Sequence, residues 1–282
     1  MGCPSGQWER TVNPPALPSV VQIHYPPQKK FTPLMILALG GRMRVREIKW
    51  KVAEFFLRNI FKFIHRYLKY PLIEPSDKFF SEIDTVVHVG AHLGEERLSY
   101  LRKNLTVFWI EAASTLFQKL RENIANYPKQ QAIQAVIHAN EGSLVDFYLT
   151  SRSASSSMLL PKDTWPTPDL EIVGVEELKT IRLSTLIREG FIKLSRRSML
   201  IIDTQGTELE VLYSASEYLN EFLIIIVEAQ NFELYEGQAS VEKIEKFLAD
   251  RNFALEHKEK WATDSTGSKF CYEVVFKNKE LS

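Results

Sequence analysis

Apolar strand-like runs alternate with helical segments after Ile83, and this alternation is the feature that most constrains the fold. Such runs, flanked by amphipathic segments, predict an α/β fold in which helices cover both faces of a mainly parallel sheet. Two final apolar runs on either side of a polar turn at 263–268 predict a closing antiparallel hairpin. The main strands are predicted at 85–90, 107–111, 133–138, 199–203 and 223–228, the accessory strands at 144–150 and 178–183, and the hairpin at 254–261 and 270–277.

The first 70 residues differ from the remainder in charge, with 12 Lys and Arg against three acidic residues, whereas the whole chain has 35 of each sign. Residues 1–33 are proline-rich and predict an extended or disordered leader. Residues 34–72 predict a basic helical extension, because apolar side chains recur at three- and four-residue steps over 42–69. Residues 73–282 then form the α/β domain.

The predicted helix over 42–69 has two interpretations. Its nine Lys and Arg residues would suit contact with an anionic membrane surface. Packing against the α/β domain or a second subunit is favoured, because the apolar stripe has the width of an ordinary core-facing stripe. Membrane contact is therefore not favoured, and a homo-oligomer is left open. No nucleic-acid partner is predicted.

The two cysteines, Cys3 and Cys271, form neither a metal-binding spacing nor a disulfide framework. This favours a reducing cytoplasmic location. The longest apolar stretch in the basic part, residues 34–41, is far shorter than the roughly 20 residues that a membrane-spanning helix needs. No metal ion is predicted, because the acidic residues show no firm ligand pattern.

A glycine turn follows the first predicted strand, with Gly90 and Gly94 at its two ends. Glycine permits a sharp turn and close approach of a ligand, and nucleotide-type ligands bind outside the carboxyl ends of parallel strands. Glu111 ends the second strand and could accept hydrogen bonds from both hydroxyls of a ribose. The alternatives are a plain strand-to-helix turn and a solvated acid at a helix start.

A series of segments, VVHVGAHLGEE, WIEA, AVIHANEG, SASSSML, IIDTQGTELEVL and IIIVEAQ with ELYEG, resembles the FkbM-type methyltransferases in order and spacing over roughly residues 83–256. The resemblance implies a Rossmann-like class I methyltransferase fold and S-adenosylmethionine as the cofactor. It also implies methylation of a hydroxyl on a sugar or natural-product-type acceptor, that is, a small molecule or glycan.

The resemblance assigns the cofactor to the glycine turn, the end of the second strand and the 135–137 stretch. It implies that the serine-rich loop, residues 153–157, lies near the cofactor or the acceptor. The implied cofactor-binding residues are His88, Gly90, Ala91, His92, Gly94, Glu111, Ala112, Val136, Ser156 and Asp203. His88 and His92 depart from the family pattern, in which Asp and Asn are common at these positions. Glu95 or Glu141 could compensate for these departures.

A hydroxyl acceptor loses its proton during methyl transfer, so a general base is expected. Asp203 is the first candidate, because it ends the fourth strand, and Glu228, which ends the fifth, is the second. His92 is the third, since the ordinary pKa of histidine is near neutral. A helix N-cap is the alternative role for Asp203, and a core hydrogen bond is the alternative for His88.

Two further features are left open. Glu208 resembles a first-turn acid of a helix that starts near Thr207, rather than part of the catalytic machinery. Tyr235 either lines the acceptor pocket or packs at the surface. The competing functions are a nucleotide-dependent oxidoreductase, which would want a third turn glycine, and a cofactor-binding module without catalysis.

Overall fold

The computed structural model describes residues 75–164 and 169–281 of the 282-residue chain. The predicted leader at 1–33, the predicted extension at 34–72 and the basic helix within it lie outside the described residues and stay predictions. A truncation that starts at Ile73 tests the interpretation of that helix. Among the described residues, no helix has both the length and the apolar character needed to cross a membrane.

A seven-stranded sheet carries the fold, in the order β3-β2-β1-β7-β8-β10-β9. Neighbouring strands pair in parallel except at β10, which is antiparallel to both β8 and β9. The predicted Rossmann-like sheet with a closing antiparallel hairpin is thus confirmed. The strands of this sheet are β1 (Thr85–Val89), β2 (Thr106–Glu111), β3 (Gln130–Gln134), β7 (Ser198–Ile202), β8 (Phe222–Gln230), β9 (Phe253–Thr263) and β10 (Phe270–Asn278).

A small second sheet, in the order β4-β6-β5, lies between β3 and β7 in the chain. Its strands are β4 (Val136–Ile137), β5 (Leu144–Thr150) and β6 (Ile172–Ile181). The single third strand predicted at 133–138 is wrong, because the chain divides it between the two sheets. Glu111 ends β2 opposite Gln134, so the chain beyond Ala135 has no strand of the main sheet to pair with and joins β6 instead.

The helices cover both faces of the main sheet and bury two large apolar clusters against it. They are α1 (Arg97–Arg102), α2 (Ser114–Ile124), α3 (Leu183–Arg188), α4 (Glu208–Ser214) and α5 (Val241–Ala249). The helices pack on the sheet because their apolar residues lie on one face. Helix α2, for example, buries Leu116, Leu120 and Ile124 at four-residue steps. Helix α3 was not predicted: the accessory strand expected at 178–183 ends at Ile181, and Leu183 begins the helix.

Candidate functional site

The turn after β1 is built on two glycines with a left-handed backbone. Gly90 has a φ of +88°, and a Cβ there would stand 1.7 Å from the carbonyl oxygen of Asp203. Gly94 has a φ of +66°, and a Cβ there would stand 2.7 Å from Leu120 Cδ1, the end of a side chain that can move. At Gly90 only glycine tolerates both the backbone conformation and the contact with a backbone oxygen. The ends of β1 and β7 therefore come together at Gly90.

Glu111 is buried at the carboxyl end of β2, with 5% of its surface exposed. The backbone N–H of His92 donates to its Oε2 at 2.8 Å, and that of Ala113 donates to its Oε1 at 2.9 Å. Burial outweighs these bonds and raises the pKa of Glu111 to about 7. An ionised carboxylate has about four acceptor sites, so Glu111 keeps capacity for a ligand hydroxyl beside its backbone partners.

His92 joins the glycine turn to the serine-rich loop. Its backbone is left-handed, with a φ of +46°. Its Nδ1 lies 2.9 Å from Glu95 Oε1, and its Nε2 lies 2.9 Å from the hydroxyl oxygen of Ser153. The hydrogen bond with Glu95 raises the pKa of His92 above its ordinary value. Both ring nitrogens are thus engaged, which argues against His92 as the free base.

A cleft with a volume of about 630 Å³, its open mouth included, lies between the turn, the end of β7 and the small sheet. Ala135, Val136 and Ile137 form an apolar wall of this cleft, and Met158 and Phe147 add to it. Seven of the residues assigned to the cofactor line the cleft together: Gly90, His92, Glu111, Ala112, Val136, Ser156 and Asp203.

The structure does not bring His88 to the cleft. His88 lies on β1 with 7% of its surface exposed, and its ring stacks on Trp109 at 5.0 Å between centroids. The hydroxyl of Tyr100 lies 3.3 Å from its Nδ1. Burial lowers the pKa of His88 to about 4, so the ring is neutral and belongs to the core.

Ala91 and Gly94 shape the turn from behind the cleft wall. The N–H of Ala91 donates to the carbonyl oxygen of Ile110 at 3.0 Å, and the N–H of Gly94 donates to that of Ala91 at 2.8 Å. Neither residue lines the cleft. Their role is to hold the turn in its conformation.

Asp203 follows β7 directly, and its backbone N–H donates to the carbonyl oxygen of Val89 at 2.9 Å. Burial raises the pKa of Asp203 to about 6, against the opposing effect of a hydrogen bond from Gln205. The N-cap of α4 is Thr207 rather than Asp203, so the alternative structural role does not apply. A carboxyl group in a cleft with a pKa near neutral is suited to general-base chemistry.

A side-chain network connects Asp203 to the serine-rich loop. Gln205 Nε2 donates to Asp203 Oδ1 at 2.5 Å, and the Tyr235 hydroxyl lies 3.0 Å from Gln205 Oε1. The same hydroxyl lies 2.9 Å from the carbonyl oxygen of Ser155. Only 1% of Tyr235 is exposed, so it does not pack at the surface.

Two further carboxyl groups lie near Asp203. Glu208 is 3% exposed and accepts the backbone N–H of Gly206 at 2.9 Å through its Oε1. Burial raises the pKa of Glu208 to about 7, and the charge of Asp203 adds to the rise. Glu228 lies within β8, and burial together with the charges of Asp203 and Glu208 raises its pKa well above the ordinary value. Glu228 does not line the cleft.

Sequence reasoning gave Glu208 a capping role and left Gln205 out of the site. Thr207 does begin α4 as its N-cap, but its side chain makes no capping hydrogen bond. The left-handed φ of +58° at Gln205 was not visible in the sequence. The only available signal was the polar run Thr204-Gln205-Gly206 that follows Asp203. Within residues 75–164 and 169–281, no group of three or more His, Cys, Asp or Glu side chains is arranged to hold a metal ion.

Comparison with known proteins gives one family and several distant structures. A sequence model described as the methyltransferase FkbM domain matches residues 88–255. No curated protein gives a significant match to the sequence.

Three solved structures illustrate the structural likeness. M. capricolum TrmK, in complex with S-adenosylhomocysteine, is 8% identical with a TM-score of 0.43, over 74% of this chain and 70% of that one. Magnesium protoporphyrin IX methyltransferase from Synechocystis PCC 6803, with bound SAM, is 9% identical with a TM-score of 0.39, over 85% and 86%. The N-terminal domain of EvdMO1, with SAH bound, is 10% identical with a TM-score of 0.43, over 76% and 84%.

Proposed function

Because the chain belongs to the methyltransferase FkbM domain family, whose members take a methyl group from S-adenosylmethionine, we propose that this protein methylates a hydroxyl. The acceptor is a small molecule or glycan of the sugar or natural-product type. The single observation that carries the proposal is that Glu111 and Asp203, two acids at the ends of separate strands, line one cleft beside the glycine turn.

The residues of the cleft fit S-adenosylmethionine. Glu111 lines the cleft and its carboxylate accepts hydrogen bonds only, which suits the vicinal hydroxyls of a ribose. The apolar wall at Ala135, Val136 and Ile137 suits an adenine ring. Gly90 keeps the backbone of the turn free of a side chain at the cleft. The cofactor supplies an activated methyl group when it is bound.

The remaining chemistry falls to the protein, which must orient the acceptor oxygen and hold its proton. As the acceptor oxygen takes the methyl group that bound S-adenosylmethionine would supply, with S-adenosylhomocysteine as the other product, the hydroxyl proton would move to Asp203. Asp203 then returns the proton to solvent. The near-neutral pKa of Asp203 suits both steps at physiological pH.

Calorimetric titration tests the cofactor assignment. S-adenosylmethionine and S-adenosylhomocysteine are expected to bind in the micromolar range, about −8 kcal/mol, with NAD as the comparison ligand. Preferential binding of NAD would favour the oxidoreductase alternative. Radiolabelled methyl transfer to a panel of sugars and hydroxylated small molecules tests catalysis. Cofactor binding without transfer to any panel member would favour the non-catalytic binding module.

The other expectations about this protein are also part of the proposal. We propose a cytoplasmic protein without a nucleic-acid partner, in which 42–69 packs against protein rather than membrane. The truncation at Ile73 is expected to lose stability or its oligomeric state, with no change in binding to anionic vesicles. Loss of vesicle binding by a folded, active truncation would overturn this part.

A further inference from the structure

We infer that Gln205 is a positioning residue whose amide couples the protonation of Asp203 to the hydrogen bond between Tyr235 and the loop at Ser155. The inference rests on the proposed function in taking Asp203 as the base. The contacts that carry it are present without the acceptor, so they can be tested apart from methyl transfer.

The backbone of Gln205 is held in an unusual conformation. Its φ of +58° lies in the left-handed region, which residues other than Gly, Asn and Asp seldom adopt. The hydroxyl of Ser157 donates to the carbonyl oxygen of Gln205 at 2.8 Å and fixes the peptide from the side of the serine-rich loop. Strain of this kind persists where the surroundings over-determine it, and it is frequent at functional sites.

When Asp203 is ionised, the acceptors around the Tyr235 hydroxyl outnumber the protons that can be donated to them. An ionised carboxylate only accepts, so the amide must present Nε2 to Asp203 and Oε1 to Tyr235. The Tyr235 hydroxyl then faces two acceptors, Gln205 Oε1 at 3.0 Å and the Ser155 carbonyl oxygen at 2.9 Å. It has one proton, so one of the two acceptors is always left without it.

When Asp203 is protonated, the side-chain oxygens of Gln205 and Tyr235 and the carbonyl oxygen of Ser155 can each receive one hydrogen bond. A half-turn of the amide presents Oε1 to the carboxyl and Nε2 to the oxygen of Tyr235, and a half-turn of the carboxyl brings its proton to the side of Gln205. Asp203 then donates to Gln205, Gln205 donates to Tyr235, and Tyr235 is committed to Ser155. The protonated state has three hydrogen bonds in this chain, whereas the ionised state has two.

The surroundings of Asp203 allow this change to occur near neutral pH. The charged groups that act on it electrostatically are His92, Glu208 and Glu228. Burial raises the pKa of Asp203 to about 6 in this environment. Proton uptake from the acceptor therefore tightens the contact of Tyr235 with the loop over the cleft, and proton release loosens it.

Carbon-13 NMR of the aspartate carboxyl groups, in the complex with S-adenosylhomocysteine, measures the Asp203 titration directly. The Asp203→Asn variant assigns the signal. Tyr235→Phe should lower the titration midpoint of Asp203 by about 0.5 to 1 pH unit, because the protonated state loses two hydrogen bonds and the ionised state loses one. Tyr213→Phe is the matched control, since Tyr213 is 41% exposed and lies outside the network, and it should leave the midpoint unchanged.

The Gln205→Leu background decides whether the amide carries the coupling. The expected result is that Tyr235→Phe no longer moves the Asp203 midpoint in this background. An equal shift with and without Gln205, or no shift in Tyr235→Phe alone, overturns the inference. If the Gln205→Leu protein fails to fold, Gln205→Met serves as the background without the amide, and the same comparison decides. Absence of methyl transfer with a normal NMR result would refute the proposed function and leave the coupling intact.

Discussion

The two halves of the cleft are built by different means. The cofactor half, where we propose that the cofactor binds, comprises the glycine turn and Glu111 and is held by backbone N–H groups that donate to one carboxylate. The acceptor half, where we propose that the acceptor binds, comprises Asp203 and Gln205, which line the cleft, and Tyr235, which contacts Gln205 without lining it. It is held by side chains that contact one another. A backbone donor keeps its direction whatever the pH, whereas a side-chain network changes with the protonation of its members.

The comparison separates a surface whose hydrogen-bond donors are fixed backbone groups from one whose donors and acceptors are both side chains. In the cofactor half the bonds to Glu111 come from residues 19 and 2 positions away along the chain. In the acceptor half Tyr235 contacts residues 30 and 80 positions away. The acceptor half therefore depends on three loops that meet only in the folded protein, and it should be the more sensitive to substitution of a single side chain.

The largest expected effect is loss of turnover in Asp203→Asn. The amide keeps the shape of the side chain but is not a base, so turnover should fall by about 10²- to 10⁴-fold. Binding of S-adenosylhomocysteine should stay within a few-fold, since the cofactor half is intact. The measurement is radiolabelled methyl transfer beside calorimetry, with Asp250→Asn as the control, because Asp250 is 56% exposed at the end of α5. Near-normal turnover would remove Asp203 from the reaction.

Gly90→Ala should distort both halves of the cleft and destabilise the protein. The new Cβ would stand 1.7 Å from the Asp203 carbonyl oxygen, and the φ of +88° disfavours a side chain. The backbone must shift, which costs roughly 3 kcal/mol of unfolding free energy. Gly190→Ala is the matched control, because Gly190 has a φ of +81° but no atom within 4 Å of the added Cβ. Equal denaturant midpoints for the two variants would mean that the contact with Asp203 adds nothing to the cost of the backbone conformation.

Much of the fold follows from local sequence, and the cofactor half follows with it. The apolar runs predicted the ends of β1, β7 and β8 to within about two residues, the usual precision for strand ends. Gly90 and Glu111 were identifiable because a turn glycine and a strand-end acid have local signatures. The end of β3 was missed because the point where the chain leaves the main sheet is set by where β2 ends.

The acceptor half could not be predicted in the same way. Glu208 looks like a first-turn acid in the sequence, and only the fold shows that it is buried beside Asp203. His88 could have pointed to either face of β1, and the packing of Trp109 and Tyr100 decides that it faces the core. Contacts between residues far apart in the chain produce no periodicity or spacing in the sequence, so they could not be predicted from it.

Glu111→Ala should weaken binding of S-adenosylhomocysteine by about ten- to hundred-fold, because two hydrogen bonds to the ribose are lost. This prediction concerns the cofactor half alone, so the titration of Asp203 should be little changed. Calorimetry gives the affinity, and Glu122→Ala, at an exposed position on α2, is the control. Unchanged affinity in Glu111→Ala would refute the assignment of the ribose to this residue.

The smallest expected effect, Glu208→Gln, tests whether the acceptor half responds to pH through its buried carboxyls. Burial raises the pKa of Glu208 from 4.5 to about 7 in the folded protein. Its protonated form is therefore favoured by folding, and the stability it contributes is complete below pH 4.5 and is lost as the pH rises through 7. Glutamine stays neutral and can still accept from Gly206 N. Between pH 5 and 8 the unfolding free energy of the unsubstituted protein should fall by about 2 kcal/mol more than that of the variant.

Urea denaturation at each pH, without cofactor, measures this difference. Glu122→Gln is the control, because Glu122 is at an exposed position on α2. Its pH dependence should match that of the unsubstituted protein. If Glu208→Gln also matches it, Glu208 is ionised at neutral pH at no cost to stability, and its carboxyl group does not contribute to the pH response of the acceptor half.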